Sequence, residues 1–476
     1  MAMWEGAKEN SESKEFAAVV KRYKKMLSEE QMGFFDVSDF EFIVDHYIEK
    51  NQYTNALQAS EIAISQHPYS TLVKIKKAQV LLGQLKIDKA LELLKVLVEI
   101  ESTNPEILLM LGNCYNFQGD DNKAYDYYRK ADKYSFDDRD EILYNIGIGY
   151  VQNENFQKAV LFLEKAYLEN PKNESVLYDL AFSYDKLGND EKSIRFYNEY
   201  LDIDPFAESA WYNLGIIYTR REEYDKAIEA YDFALAIDEN YASALFNKAN
   251  TLSTAEKYSE ALSCYLDFLK FDKNSSDAHV YIAECYFQLE EYAKAQHYYK
   301  LAINLDPKNA DGWYGTGIVL MVEENLAESL VFLKKAIKLD ENCADFWNAF
   351  GKVNAALNNY EEALISFKKS VEIENTNPDF WISYADFHYN YNQTGLAIQT
   401  MFEAEMTVPE NAPMLYKLSG YLTENGDIQL ARIYFKKALT FNFSIHAEFF
   451  LDFPGLKSRR WIKKMISQFG RNNNPW

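Results

Sequence analysis

Apolar and polar residues along this chain follow the period of an amphipathic helix. In the segment AESAWYNLGIIYTRREEYDKAIEAYDFALAIDEN, Trp211, Leu214, Gly215 and Tyr218 are spaced i, i+3, i+4, i+7, and after a polar stretch Ala227, Tyr231 and Ala234 resume the pattern. Two helices joined by a turn are predicted. Segments of this kind recur about every 34 residues, with starts near Val37, Thr71, Pro105, Asp140, Glu174, Glu208, Ala242, Ser276, Ala310, Ala344, Pro378 and Ala412. The step is constant except for one additional residue in SFDDRDE, before or at Asp140, which a connecting loop absorbs.

Each recurrent position has a steric reason. A small residue recurs in the first helix (helix A) of a repeat, as Gly112, Gly147, Ala181, Gly215, Ala249, Ala283, Gly317, Gly351 and Ala385, which lets paired helices approach closely. A second recurs in helix B as alanine, replaced by Ser193 and Ser329 in two repeats. Rings such as Tyr128, Tyr197, Tyr231, Tyr265, Tyr299, Phe367 and Phe435 fill the space these residues leave. Prolines 68, 171, 205, 307 and 409 stop helix B.

The W-x-x-L-G-x-x-Y, A-x-x-x-Y-x-x-A, P arrangement, clearest over residues 174–307, resembles the tetratricopeptide repeat family across residues 37–445. Lys77, Lys248 and Thr316 depart from it at the usual leucine place. The expected fold is all-α, a right-handed α-solenoid (superhelix) of about twelve helix-turn-helix repeats over 37–445. Residues 1–36 would hold a tail and a capping helix at 12–28 with Phe16, Val19, Val20, Tyr23 and Leu27. Residues 446–476 would hold a basic capping helix and tail, since a repeat cannot bury its apolar face alone.

The net charge of −23 argues against nucleic acid as a main partner and favours basic or polar protein segments. Cys114, Cys264, Cys285 and Cys343 are scattered, without Cys-x-x-Cys or metal-ligand spacing, which suits reduced thiols in the cytoplasm. The sequence offers no apolar run long enough to span a membrane and no signal-peptide core. The six histidines form no His-Glu-x-x-His pair, and Gly147-Ile148-Gly149 and Gly315-Thr316-Gly317 lie inside helix A with no preceding strand. No nucleophile motif occurs, so neither enzyme activity, metal nor cofactor is expected.

What remains is a binding surface. In the resembling family the A helices line the concave face. Here Tyr144, Tyr178, Tyr212 and Phe246 stand beside Asn145, Asp179, Asn213, Asn247 and Asn250, a candidate peptide-binding ladder, because a carboxamide both donates to and accepts from a backbone. Acids in the first turn of helix A, including Glu106, Glu141, Asp277, Asp311, Asp345 and Asp379, offset the helix dipole and would also favour Lys or Arg on a partner. Basic grips for a C-terminal carboxylate are lacking.

The end of the chain reverses sign, with Lys457, Arg459, Arg460, Lys463, Lys464 and Arg471 and no acid after Asp452. This stretch would cap the stack, dock on an acidic partner or second copy, or touch an anionic surface. The expected function is a non-catalytic scaffold holding a peptide or protein segment in the concave groove. The alternative is a regulatory subunit or dedicated chaperone gripping a folded enzyme by its convex face or ends.

Overall fold

The computed structural model describes residues 17–29, 33–136 and 138–473. All described regular structure is helical. Helix α1 spans residues 17–29, and α2 (Val37–Glu49) to α25 (Ile428–Phe441) form twelve consecutive A/B pairs, even-numbered helices being A and odd-numbered ones B. Eleven A helices begin on the residue the periodicity places first. The fourth, α8 (Arg139–Gln152), starts one residue earlier, beside the extra loop residue. Phe16 and Asp137 lie outside the described residues. The chain divides into two compact units, residues 1–239 and 240–476.

Local chemistry fixes the ends of these helices. Asn104 caps α6 (Pro105–Phe117) by accepting from the backbone N–H groups of Glu106 and Ile107 at 3.0 and 3.3 Å. Asn173, Asn309 and Asn411 do the same for later A helices, a contribution of about 1 kcal/mol each. Every A helix is followed by a residue with positive φ at the fifteenth position of its repeat, from Asn51 (56°) to Gly426 (93°). The backbone then closes on itself, as where Gln52 N–H donates to the Tyr47 carbonyl at 2.8 Å.

Small residues and rings interlock as the spacing requires. A Cβ at Gly112 would stand 2.4 Å from the Tyr128 ring, and one at Gly215 2.5 Å from Tyr231. The small position of helix B is fully buried in every repeat, from Ala56 to Ala431. Ser193 and Ser329 fit there because each hydroxyl donates to a helix-A carbonyl, of Ala181 and Gly317, at 2.7 Å. Thr316, at the usual leucine place, is buried and donates to the Gly312 carbonyl at 2.9 Å. Where tryptophan opens helix A, its indole N–H reaches back six residues, Trp211 to the Pro205 carbonyl and Trp313 to that of Pro307, and pins the preceding loop.

In the N-terminal unit one cluster of buried side chains runs from Ile75 to Ala230. A second joins α1, through Val20 and Tyr23, to Phe35, Phe40 and Ile43. In the C-terminal unit the largest cluster gathers the last two repeats with Phe449, Phe453, Leu456 and Ile462. After the short helix α26 (Phe449–Asp452), the last helix, α27 (Arg460–Asn473), turns Trp461, Met465, Ile466 and Phe469 onto that cluster.

Candidate protein-binding faces

In the N-terminal unit, α4 (Thr71–Gly83), α6 and α8 wall a cleft of about 730 Å³. Its floor is apolar, with Leu82, Leu109, Met110 and Ile148, and its sides carry Gln79, Asn113, Asn145, Gln152, Glu106 and Glu141. Phe136 and Asp138, on the connection that holds the extra residue, form the rim, and the Phe136 ring is 82% exposed. These side chains converge because helix A presents its second, sixth, ninth and thirteenth positions on one face.

The cleft holds uncompensated negative charge. Glu106 accepts from Gln79 Nε2 at 2.8 Å. Burial pushes its carboxyl above the usual range, the nearby Lys76 lowers it in part, and Glu41, Asp45 and Glu141 raise it further. Lys76 is itself held by Asp45 at 2.8 Å and Glu41 at 3.7 Å. The Asn145 carboxamide, by contrast, makes no hydrogen bond among the described residues, and it faces this cleft.

The other expected ladder residues are half-buried on A helices, and several are already engaged. Tyr144 donates to Asp179 on α10 (Glu174–Lys186) at 2.9 Å; burial and that carboxylate push the phenol up to about 12. Asn213, on α12 (Glu208–Arg220), spends its amino group on the hydroxyls of Tyr178 at 3.2 Å and Tyr197 at 3.0 Å. These bonds stitch α8 to α10 and α10 to α12. Tyr212 also has contacts within the chain.

In the C-terminal unit, Phe246, Asn247 and Asn250 lie on α14 (Ala242–Thr254), where Asn250 accepts from Tyr265 at 2.6 Å and Phe246 packs on the Tyr265 and Phe268 rings. Asn247 is engaged too. The open space lies further on, in a cleft of about 460 Å³ walled by α14, α16 (Ser276–Gln288), α18 (Ala310–Val322) and the start of α20 (Ala344–Ala356). Glu284, Asp311 and Asp345 face it beside Tyr314 and Phe287. Burial, then Asp311, raises the Glu284 carboxyl to about 7, although the side chain still reaches solvent. Asp311 and Asp345 are raised as well, by burial and neighbouring acids. Glu284 escaped the reading of the sequence, which weighed the first turn of helix A; its signal is an acid at the ninth position, one turn past the ring at Tyr281.

Profiles described as tetratricopeptide repeat match residues 150–214, 209–241, 276–309 and 344–377. A profile of the N-terminal TPR repeats region of Psidin matches residues 44–174. The chain is a tetratricopeptide repeat protein. It is 31% identical over 115 residues to the general transcriptional corepressor ssn6 of Schizosaccharomyces pombe, a match spanning 24% of this chain and 10% of that relative's length. Among solved structures it resembles a chain of the APC/C hetero-tetramer Cut9-Hcn1 (14% identity, TM-score 0.44, 87% of this chain and 95% of that one). It also resembles YrrB, a TPR protein with an unusual peptide-binding site (22% identity, TM-score 0.36, 39% and 96%). Among the described residues, no helix is long and apolar enough to cross a membrane, and no three His, Cys, Asp or Glu side chains group to hold a metal ion.

Proposed function

We propose that this tetratricopeptide repeat protein is a non-catalytic scaffold whose A-helix clefts hold a protein segment bearing Lys or Arg. The observation that carries this reading is the pairing of open clefts with carboxylates that form no ion pair among the described residues: Glu106 and Glu141 in the N-terminal unit, Glu284, Asp311 and Asp345 in the C-terminal unit. A partner cation would relieve the raised carboxyl groups, and Asn145 would take the segment's backbone. Tyr144, Tyr178, Asp179 and Asn213 act by bracing the face, and Phe246, Asn247 and Asn250 by shaping it in the C-terminal unit. The free thiols support work in the reducing cytoplasm.

The test is affinity capture from native lysate at low and moderate salt, comparing wild type with Glu106→Gln/Asn145→Ala and with Glu284→Gln. Loss of one neutral and one charge-assisted hydrogen bond should weaken a specific partner by at least about tenfold. Retention of every specific partner by all three proteins contradicts groove binding and turns attention to the convex face and the ends.

A further inference from the structure

We infer that the C-terminal end of the chain carries a second docking surface, a basic patch that takes a short carboxylate-rich protein segment. Lys457, Arg459, Arg460, Lys463 and Lys464 are all exposed. The structure adds a sixth cation from another element, because the Arg432 guanidinium of α25 stands 5.6 Å over the Trp461 ring of α27. None of the six forms an ion pair among the described residues. Several other cations of this unit are neutralised in place, among them Lys417 by Asp386 and Asp452 at 2.9 Å, Lys437 by Glu405 at 2.9 Å and Lys270 by Asp267 at 2.6 Å.

The apolar side of α27 explains helix docking and leaves the cations unexplained. Ile462 is fully buried, and Trp461, Met465, Ile466 and Phe469 are partly buried on the last repeat. Little apolar area remains for insertion into a bilayer. The cations also gather at the N-terminal turn of α27, where the helix dipole adds positive potential instead of being offset.

Length and charge select the occupant. Arg460 to Lys464 covers roughly 6 Å of α-helix, with Lys457 on the 3₁₀ turn and Arg459 on the extended residue that lead into it, so the patch is matched by a few residues of extended chain. Six cations and no acid follow Asp452, whereas residues 240–452 of the same unit, with 17 Lys/Arg and 29 Asp/Glu, carry −12. A duplex or an anionic bilayer would extend past the patch onto that acidic body and be repelled there. A short Asp/Glu segment stays on the patch, and Arg459 and Arg460 can each grip a carboxylate with two parallel hydrogen bonds.

The test uses the full chain and a fluorescein-labelled twelve-residue Glu/Asp peptide, with a Lys-rich peptide of equal length as control, followed by anisotropy. The acidic peptide should bind at 50 mM salt, and its affinity should fall about tenfold by 300 mM as screening shortens. Binding should vanish in Arg459→Glu/Arg460→Glu/Lys463→Glu/Lys464→Glu and fall several-fold in Lys463→Gln/Lys464→Gln, whose melting matches wild type. The inference is overturned if the acidic peptide fails to bind at 50 mM salt or binds the Gln variant as tightly as wild type. Tighter binding of a twelve-nucleotide single strand or of phosphatidylserine vesicles overturns it too, as does patch-dependent self-association in sedimentation. The outcome is independent of groove binding, because none of these substitutions touches an A helix.

Discussion

At the fifteenth position of each repeat the backbone must enter the left-handed region, yet only Gly119, Gly188 and Gly426 supply glycine there; Glu154, Glu222, Glu256, Glu290 and Glu324 occupy five of the other sites. A side chain in that conformation costs about 1–2 kcal/mol, and glycine's extra freedom in the unfolded chain returns part of it. Glu222→Gly and Glu290→Gly should therefore each stabilise by about 0.5–1 kcal/mol, measured by chemical denaturation; a loss of stability would show that these glutamates make contacts that outweigh the strain. A second comparison separates two buried tyrosines. Tyr128 donates to Asn113 Oδ1 at 2.7 Å, while the Tyr150 hydroxyl has no partner among the described residues. Tyr128→Phe should cost about 1 kcal/mol and Tyr150→Phe nothing, or stabilise slightly.

Between helices, the Tyr144–Asp179 and Asn213–Tyr178 bonds tie α8 to α10 and α10 to α12. Asn213→Ala should accordingly lower stability by about 1–2 kcal/mol, whereas Asn145→Ala should leave the melting curve unchanged and weaken only partner binding. The periodicity made this much of the architecture legible: helix starts, the small-residue seam and the ring positions are all set by steric demands that recur with the sequence. The hydrogen-bond partners were not legible, because Asn145 and Asn213 occupy the same place in their repeats and differ only in the neighbour they face: Asn213 has Tyr178 on the preceding A helix, where the repeat before Asn145 places Leu109. The left-handed turns were hidden for a related reason, since glutamate and asparagine fill most of them in place of glycine. Nor could spacing reveal that Arg432 joins the basic end of the chain, a contact made across two elements.

At the scale of the whole molecule, a net charge of −23 leaves clefts that carboxylates line without cations, and pH becomes a handle on them. Folding raises the Glu284 carboxyl from its ordinary value to about 7, so the folded chain binds more protons than the unfolded one between roughly pH 4.5 and 7, and stability falls as pH rises through that window. Glu284→Gln should raise the melting midpoint at pH 8 and leave it near wild type at pH 4.5. Capture of a basic segment should run the other way, tightening by up to about tenfold from pH 6 to 8 as Glu284 ionises. The most direct test of groove binding is photo-crosslinking from native lysate, with a benzophenone amino acid placed at Ile148 in the N-terminal cleft or at Leu161, which is 56% exposed on α9 (Phe156–Glu169). A specific protein adduct from position 148, diminished by Asn145→Ala and by 300 mM salt, is the predicted result; adducts from position 161 with none from 148 would contradict it.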